Sequence, residues 1–480
     1  MTGSTVEDTA GPSSPSASSG WARGALWLSL AVVAISGGNY LFSLSMARLL
    51  PQAAFVEFVG VQSVLLVIGT GVMAAVPWVV AREVAHASTL GEGAGHARRQ
   101  ALHFGVVAAS VQGVVLAALT FVICLGIGGP GLALVAAGAA LATSLLAAPV
   151  GFLQGQQRMS TIALLRIGEA VGRIVIGLVA VVALGGSAIG AVAGMPIASA
   201  LLLLAAVVLC RAGLPLRRPR RGVTRELLST ALVLGVVQVL LTMLSSADTV
   251  VAAAAGWSDL DGYAYQAAAL LGRAPLFLSI ALGQAIYPAL VAARSDEAHA
   301  EQLRLGVALF ARLGVLALLA FLTVPTDLVA VVGGEAAGEV SALVRITGVT
   351  GVAAGVVNLL VVGLLARARS RSALLVLLAA AVLQTVALVL ASTRGAYAVA
   401  LTAAVVMVGL LCHLAVRTRS WRPWAGVGRS DLAGALLATA FLAGADASGS
   451  TWVWLLAVPL ATAALLGASL HTILVSRGDS

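Results

Sequence analysis

Long apolar runs separated by short polar segments repeat along the whole chain. A helix needs about 20 apolar residues to cross a bilayer. Measured against that length, the pattern predicts fourteen membrane-spanning helices, an all-α fold. The predicted spans are 24–47, 54–80, 101–125, 130–152, 160–184, 187–210, 227–255, 262–291, 305–332, 337–365, 373–392, 396–416, 430–445 and 451–475.

Composition supports an integral membrane protein and excludes a soluble domain. Hydrophobic residues make up 60% of the chain, charged residues 10%, and the mean hydropathy is +1.04. A soluble protein carries about 25% charged residues. Residues 1–20 are polar and rich in Ser, Pro and Gly, which predicts a disordered cytoplasmic tail.

The basic residues, all of them arginine, fix the expected orientation. Most lie in segments that fall on one side if the N-terminus is inside, whereas the predicted outer turns hold only Arg48 and Arg394. Such a bias marks the cytoplasmic side. We therefore expect a bacterial plasma (inner) membrane protein with both termini cytoplasmic. Because the net charge of +9 resides in short loops, it indicates no nucleic-acid partner.

The chain divides into two related halves. Span two ends "AAVPWVVARE" and span eight ends "AIYPALVAAR", each on the second helix of its half. Two pseudo-symmetric six-helix lobes are predicted at 21–210 and 227–416, with an extra helix pair and a short tail at 417–480. The basic run 211–226 is the predicted cytoplasmic linker. It serves topology and contact with anionic headgroups, or alternatively a dedicated partner.

Arg273 raises the sharpest question, since it is the only charged residue between Gly262 and Ala293. A guanidinium near the bilayer midplane costs a few kcal/mol or more. Pro275 removes a helix hydrogen bond close by and predicts a kink. Contact with an anionic substrate, a structural ion pair and snorkelling of the side chain all remain open for Arg273.

Span five carries Arg166, Glu169 and Arg173, which lie on one helical face because they are three and four residues apart. Glu169 neutralises one arginine, so this face keeps one positive charge. Arg173 lies deeper and is the better substrate-binding candidate, while a self-satisfied structural network is the alternative.

Other polar residues in the apolar spans complete the candidate site. Arg312 and Arg345 contact substrate or snorkel, and Asp248 pairs with Arg273 or binds a coupling cation. Uncharged polar residues suggest a hydrated interior, although each one alone is typical of a helix–helix hydrogen bond. They are Asn39, Tyr40, Gln62, Gln238, Gln284 and Asn358.

The excess of arginine over acid indicates an anionic ligand, since a guanidinium matches phosphate with two hydrogen bonds. A phosphate-binding loop, an HExxH motif and a Ser/His/Asp set are all missing from the sequence. We therefore expect a protein that is not an enzyme and needs no cofactor or metal.

Two stretches carry a family resemblance. They are "NYLFSLSMARLLPQAAFVEFVGVQSVLLVIGTGVMAAVPWVVARE" and "ADTVVAAAAGWSDLDGYAYQAAALLGRAPLFLSIALGQAIYPAL". Both resemble helices of the bacterial polysaccharide/oligosaccharide flippases, in the multidrug/oligosaccharidyl-lipid/polysaccharide exporter superfamily. The likeness extends loosely over twelve spans.

The resemblance implies a two-lobed transporter with a cationic central cavity that works by alternating access. Its implied substrate is an undecaprenyl-diphosphate-linked oligosaccharide, moved from the inner to the outer leaflet for surface polysaccharide synthesis. Arg273 matches the family's basic position in span eight, and Arg48 is a weaker carry-over. Implied partners are this lipid-linked glycan, membrane lipids, and a polysaccharide polymerase or glycosyltransferases. The predicted substrate-binding residues are Arg273, Arg173, Arg48, Arg345, Arg312 and Asn39. The predicted ion-coupling residues are Asp248 and Glu169.

Three other functions compete with this interpretation. A multidrug/cation antiporter of the same superfamily would want buried acids facing its lumen, and a peptidoglycan-precursor flippase would share the cationic cavity. A fourteen-span major-facilitator antiporter would carry a characteristic loop after span two, which "REVAHASTLGEGAGHARRQ" lacks.

Overall fold

The computed structural model describes residues 35, 37–87, 94–210, 225–293, 295–367, 370–418 and 429–478. The predicted tail at 1–20, the first part of span one, and residues 211–224 of the predicted linker lie outside these ranges. Every described element is helical. The prediction of an all-α membrane protein is confirmed.

The helices follow the predicted order. The first, α1, covers 37–49. Next come α2 (Gln52–Ala87), α3 (Ala94–Gly155), α4 (Met159–Ala183), α5 (Ala188–Leu209), α6 (Arg225–Ala254), α7 (Asp259–Gly272) and α8 (Ala274–Ala292). The remainder are α9 (Asp296–Thr323), α10 (Thr326–Gly333), α11 (Ala337–Ala366), α12 (Ser370–Ser392), α13 (Ala396–Arg417), α14 (Arg429–Ala447) and α15 (Thr451–Gly478).

Nine helices in the described part of the chain are long and apolar enough to cross a membrane. One of the nine, α3, contains two spans, because it turns at Gly128 and Gly129. Gly129 has a φ of 78°, a left-handed conformation that glycine adopts without strain. The helix order agrees with fourteen spans, and that exact number remains a prediction.

Span nine differs from the prediction of 305–332. The helix α9 ends at Thr323, and Pro325 begins a separate short helix, α10. Proline disfavours the helical conformation in the residue before it, and Val324 is extended, with ψ at 126°. A single 3₁₀ turn, Gly334–Ala336, joins α10 to α11.

The two halves repeat the same helix contacts. In the N-terminal half α5 packs on α3 and on α4, and in the C-terminal half α13 packs on α11 and on α12 in the same way. The last pair, α14 and α15, packs against α9, where Trp454 Nε1 donates to Thr323 Oγ1 at 3.1 Å. This pair therefore lies outside the repeat, as predicted.

Small residues bring the halves together where α2 crosses α6. A Cβ on Gly60 would lie 2.5 Å from Ala253 Cβ, and one on Gly71 would lie 2.4 Å from Val239 Cγ2. Such close approach is typical of packing between membrane helices. It fixes the two halves against each other along α2.

Among the described residues, one large hydrophobic cluster includes residues of both halves. One cluster joins Phe55 and Leu146 of the N-terminal half to Val340 and Leu388 of the C-terminal half. A second cluster belongs to the C-terminal half alone and lies toward its predicted cytoplasmic ends; Leu303 is one of its members. The members of the shared cluster that belong to the C-terminal half lie toward its predicted outer side, whereas the cytoplasmic end of that half has its own core.

Candidate functional site

Arg273 lies at a break between two helices. It is both the C-cap residue of α7 and the N-cap residue of α8, with φ −84° and ψ −6°. Pro275 is in the first turn of α8, where its missing N–H costs nothing. The predicted irregularity is therefore confined to Arg273, where the hydrogen-bond pattern of α7 ends and that of α8 begins while the backbone stays right-handed helical.

Asp248 on α6 is the ion partner of Arg273. Nη2 of Arg273 lies 2.5 Å from Asp248 Oδ1, and the Tyr265 hydroxyl donates to Asp248 Oδ2 at 2.8 Å. The same guanidinium donates to Thr249 Oγ1 at 3.3 and 3.4 Å. The Asp248 carboxylate is buried. Of the two roles open to Asp248, this structure contains the ion pair.

Glycines on α11 and α7 allow the junction between α7 and α8 to pack closely against α11. A Cβ on Gly351 would lie 1.9 Å from the carbonyl oxygen of Gly272. The Thr347 hydroxyl donates to the Ala268 carbonyl at 2.8 Å, which holds α7 against α11 just before the break. This packing sets the position of Arg273.

Arg173 on α4 has a different environment. It donates to Asn39 Oδ1 on α1 through Nη2, and its buried Nε has no hydrogen-bond partner among the residues that the structure describes. Glu169 is engaged elsewhere, by Arg166 at 3.3 Å and by the Ser199 hydroxyl at 3.0 Å. Arg173 forms no ion pair within the described ranges. Glu169, one turn earlier on α4, acts on it only through space, without a direct contact.

Hydroxyl and amide groups extend from each arginine to neighbouring positions on α2, Gln62 for Arg173 and Ser63 for Arg273. The Ser43 hydroxyl lies 3.0 Å from the Asn39 carbonyl and 3.2 Å from Gln62 Oε1. Next along α2, Ser63 Oγ lies 2.7 Å from Thr249 Oγ1. We name this set the polar layer; its members are Arg173, Asn39, Ser43, Gln62, Ser63, Thr249, Arg273 and Asp248.

An aromatic contact brings the two ends of the polar layer toward each other. The ring of Tyr40, next to Asn39, meets the ring of Phe277, one turn after Arg273, with centroids 6.0 Å apart. At 1.5 Å per residue, Arg173 lies about 15 Å and Arg273 about 20 Å from the predicted outer ends of their helices. Both arginines therefore lie deep in the protein, one in each half.

The other predicted arginines lie outside this layer. Arg48 at the end of α1 and Arg345 on α11 are exposed, and Arg312 on α9 is half-buried. Asn358 on α11 is also outside the polar layer, and its side-chain amide donates to Ser279 Oγ on α8 at 3.3 Å. The described residues include no cluster of three side chains that could hold a metal ion.

The sequence left several members of the site unnoticed, all of them hydroxyl residues: Ser43, Ser63, Thr249, Tyr265 and Ser199. Serine and threonine are common in membrane helices, so their positions carry no signal by themselves. Two of them stand beside a residue that the sequence singled out: Ser63 follows Gln62 directly, and Thr249 follows Asp248 directly.

We expect Asp248→Asn and Arg273→Gln each to lower the stability of the protein, and the double variant to recover part of the loss. A polar contact between membrane helices contributes about 1–2 kcal/mol at most, so the coupling energy should be of that order. Thermal unfolding of the four proteins in detergent measures it. Additive losses would show that the pair does not stabilise this fold.

Solved structures share the fold at low sequence identity. The lipid II flippase MurJ in an inward closed conformation is 12% identical, with a TM-score of 0.66, covering 91% of this chain and 98% of that one. An outward-facing multidrug resistance MATE transporter of the MOP superfamily is 15% identical, with a TM-score of 0.59, covering 84% and 96%. An inward-facing MATE transporter of the MOP superfamily is 15% identical, with a TM-score of 0.60, and the match covers 82% of this chain and 99% of that one. No curated protein matches the sequence significantly.

A sequence family agrees with the resemblance noted above. The family described as polysaccharide biosynthesis protein matches residues 21–294, which is more than half of the chain and includes all members of the polar layer. The predicted membership in the polysaccharide flippases of the multidrug/oligosaccharidyl-lipid/polysaccharide superfamily is confirmed. With its helices, its paired halves and this match, the chain belongs to the polysaccharide biosynthesis protein family of membrane transporters.

Proposed function

We propose that this protein flips a lipid-linked, undecaprenyl-diphosphate-type oligosaccharide from the inner to the outer leaflet for cell-surface polysaccharide synthesis. It does so by alternating access through a cationic central cavity, and the polar layer binds the diphosphate at mid-crossing. The observation that carries the proposal is Arg173: among the described residues, its buried Nε has no hydrogen-bond partner and its guanidinium contacts no carboxylate.

An unpartnered donor on a charged group inside a protein is costly, and native structures rarely keep one without a reason. A phosphate oxygen satisfies such a donor with a strong charge-assisted hydrogen bond. Asn39 already orients the guanidinium from α1. Arg173 and Asn39 therefore form the primary anion contact in this proposal.

Arg273 plays the second part. Its charge is balanced by Asp248 in this structure, but it lies at a helix break, where a small backbone change moves the side chain. Irregular backbone at membrane depth is tolerated where it lines a cavity. We propose that the diphosphate, entering between the halves, shares Arg273 with Asp248.

The remaining predicted residues keep subordinate roles in the proposal. Arg48, Arg345 and Arg312 contact the anionic substrate at the edges of its path. A coupling cation would bind Asp248 or Glu169 only by displacing an arginine, because both carboxylates are paired here. Coupling is not required: moving two negative charges outward is favourable by roughly 4–5 kcal/mol per 100 mV.

The packing of the halves supports a state closed on the predicted outer side. The members of the shared cluster that belong to the C-terminal half lie toward that side, whereas the same half has a separate core at its cytoplasmic end. We propose that lobes 21–210 and 227–416, joined by the linker 211–226, rock about this contact in the bacterial plasma membrane, with both termini cytoplasmic. A polymerase or glycosyltransferases acting on the same glycan are the proposed partners.

A peptidoglycan-precursor flippase is the second candidate, favoured by the fold shared with the lipid II flippase over nearly the whole of both chains. Both candidates need the same diphosphate contact. They differ in the sugar, which lies beyond the polar layer.

Deletion of the gene in its host, followed by restoration of the wild-type protein, tests the function. We expect deletion to raise lipid-linked oligosaccharide in the inner leaflet and to lower surface polysaccharide, and restoration to reverse both. Inner-leaflet lipid II and sensitivity to cationic drugs are measured in the same strains. Accumulation of lipid II with normal surface polysaccharide would favour the second candidate. Drug sensitivity with unchanged glycans would overturn the proposal in favour of a multidrug exporter.

A further inference from the structure

A cavity of about 390 Å³ lies apart from the polar layer, at the predicted outer side of the C-terminal half. It opens between the start of α7, the start of α11 and the turn that joins α12 to α13. Its lining includes two aromatic residues, two acids and one base: Trp257, Tyr397, Asp261, Glu339 and Arg394. Its volume is in the range of small-ligand sites.

The aromatic residues are held in place by their polar atoms. Trp257 Nε1 donates to the Ser392 carbonyl at 2.8 Å, and the Tyr397 hydroxyl donates to Glu339 Oε2 at 2.8 Å. The Tyr397 side chain is 46% exposed, so its ring is available to a ligand. Two flat apolar surfaces thus border the cavity in fixed orientations.

Charged groups of both signs remain free to bind. The Arg394 guanidinium forms no hydrogen bond or ion pair with any other residue that the structure describes. Asp261 accepts from the Ser258 hydroxyl at 2.7 Å, which leaves other lone pairs of its carboxylate open. Because two carboxylates face one guanidinium, the cavity disfavours phosphate.

The backbone keeps the cavity open. Gly395 begins α13 with a φ of 94°, and a Cβ there would meet nothing within 4 Å. In the N-terminal half the matching turn between α4 and α5 is packed, since a Cβ on Gly186 would lie 3.1 Å from Pro51 Cδ. The two matching turns therefore differ in how closely their glycines are packed.

We propose that this cavity binds a neutral or amino sugar unit of the glycan at the outer face, after crossing. A sugar ring offers one apolar face to an aromatic ring, and its hydroxyls both donate and accept. Carboxylates and a guanidinium on one rim satisfy both kinds of hydroxyl hydrogen bond. The inference rests on the proposed function for the source of the sugar, but the binding chemistry is independent of it.

Saturation-transfer NMR on the full-length protein in lipid nanodiscs tests the inference. The probes are free glucose, galactose, N-acetylglucosamine, N-acetylgalactosamine and galactosamine, with the cation tetraphenylphosphonium as a sugar-free comparison. We expect at least one of them to bind, with Kd raised about tenfold in Glu339→Gln and in Arg394→Gln, as expected when one hydrogen bond to a charged group is lost. Trp452→Ala is the matched control, because Trp452 is an exposed aromatic on the same predicted side but outside the cavity.

The results distinguish a sugar-binding cavity from the alternatives. Loss of signal in the cavity variants but not in Trp452→Ala supports the inference, provided that the thermal stability of the variants is unchanged. Binding of none of the sugars, or equal loss in the control, overturns it, as does binding of tetraphenylphosphonium alone. If sugars do not bind but deletion still blocks glycan export, only this inference fails. If sugars bind and deletion leaves glycans unchanged, the proposed function fails instead.

Discussion

Replacing Arg173 with glutamine is expected to lower export of lipid-linked oligosaccharide about 10- to 100-fold at matched membrane levels. This range corresponds to one or two hydrogen bonds between charged groups, about 1.5–3 kcal/mol. Glutamine still donates a hydrogen bond, but it removes the charge that has no contacting carboxylate in this structure. Inner-leaflet precursor and surface polysaccharide in the restored deletion strain give the measurement.

Two further variants make the result interpretable. Arg173→Lys keeps the charge but loses the forked geometry, so we expect an intermediate rate if both matter. Arg304→Gln is the control, because Arg304 forms an exposed ion pair with Glu301 near the predicted cytoplasmic end, where such pairs contribute little. Wild-type export by Arg173→Gln would show that this arginine is structural and would remove the main support for the anion site.

Substituting Gly351 by alanine is expected to destabilise the protein by about 3 kcal/mol or more. The new Cβ would lie 1.9 Å from the Gly272 carbonyl oxygen, which is backbone and cannot rotate away. Overpacking of this kind costs about 1–3 kcal/mol, and more where the neighbour is rigid. Because Gly272 precedes Arg273, relief of the clash should also displace the guanidinium from Asp248. Membrane yield and thermal unfolding in detergent measure the loss.

Gly409→Ala provides the control for this change. Gly409 lies in the middle of α13, and a Cβ there would meet nothing within 4 Å. Alanine is favoured over glycine inside a helix by roughly 0.5–1 kcal/mol, so this variant should be as stable as the wild type or slightly more stable. Equal stability of Gly351→Ala and the wild type would mean that α11 does not press on the break between α7 and α8.

Much of the architecture could be predicted because a bilayer demands long apolar segments with their backbone hydrogen bonds made internally. Hydropathy therefore located the helices, and Pro275 indicated the irregularity at Arg273. Where the prediction was wrong, at 305–332, a run of apolar residues continued past the end of α9. Apolar character alone does not separate a span from the short helix α10 that follows it, although Pro325 offered a local signal.

The sequence predicted which buried charged residues belong to the site, but it did not predict which of them contact each other. Arginines inside apolar spans stand out because burial of charge is expensive, and this made Arg173 and Arg273 visible. Their environments did not follow from the sequence. The acids Asp248 and Glu169 were both within reach of an arginine by spacing or by neighbouring spans, but pairing depends on which helix faces meet.

The sequence by itself determined that this chain is a membrane protein of two related halves carrying buried positive charge. Those properties depend on composition and local periodicity, which need no knowledge of contacts. Only the tertiary structure decided that Asp248 neutralises Arg273, that Glu169 turns to Arg166 and Ser199, and that Arg173 is left with Asn39. The same holds for the outer cavity, whose lining comes from three separate places in the chain. Such arrangements depend on how helices distant in sequence pack, and a one-dimensional pattern does not contain that information.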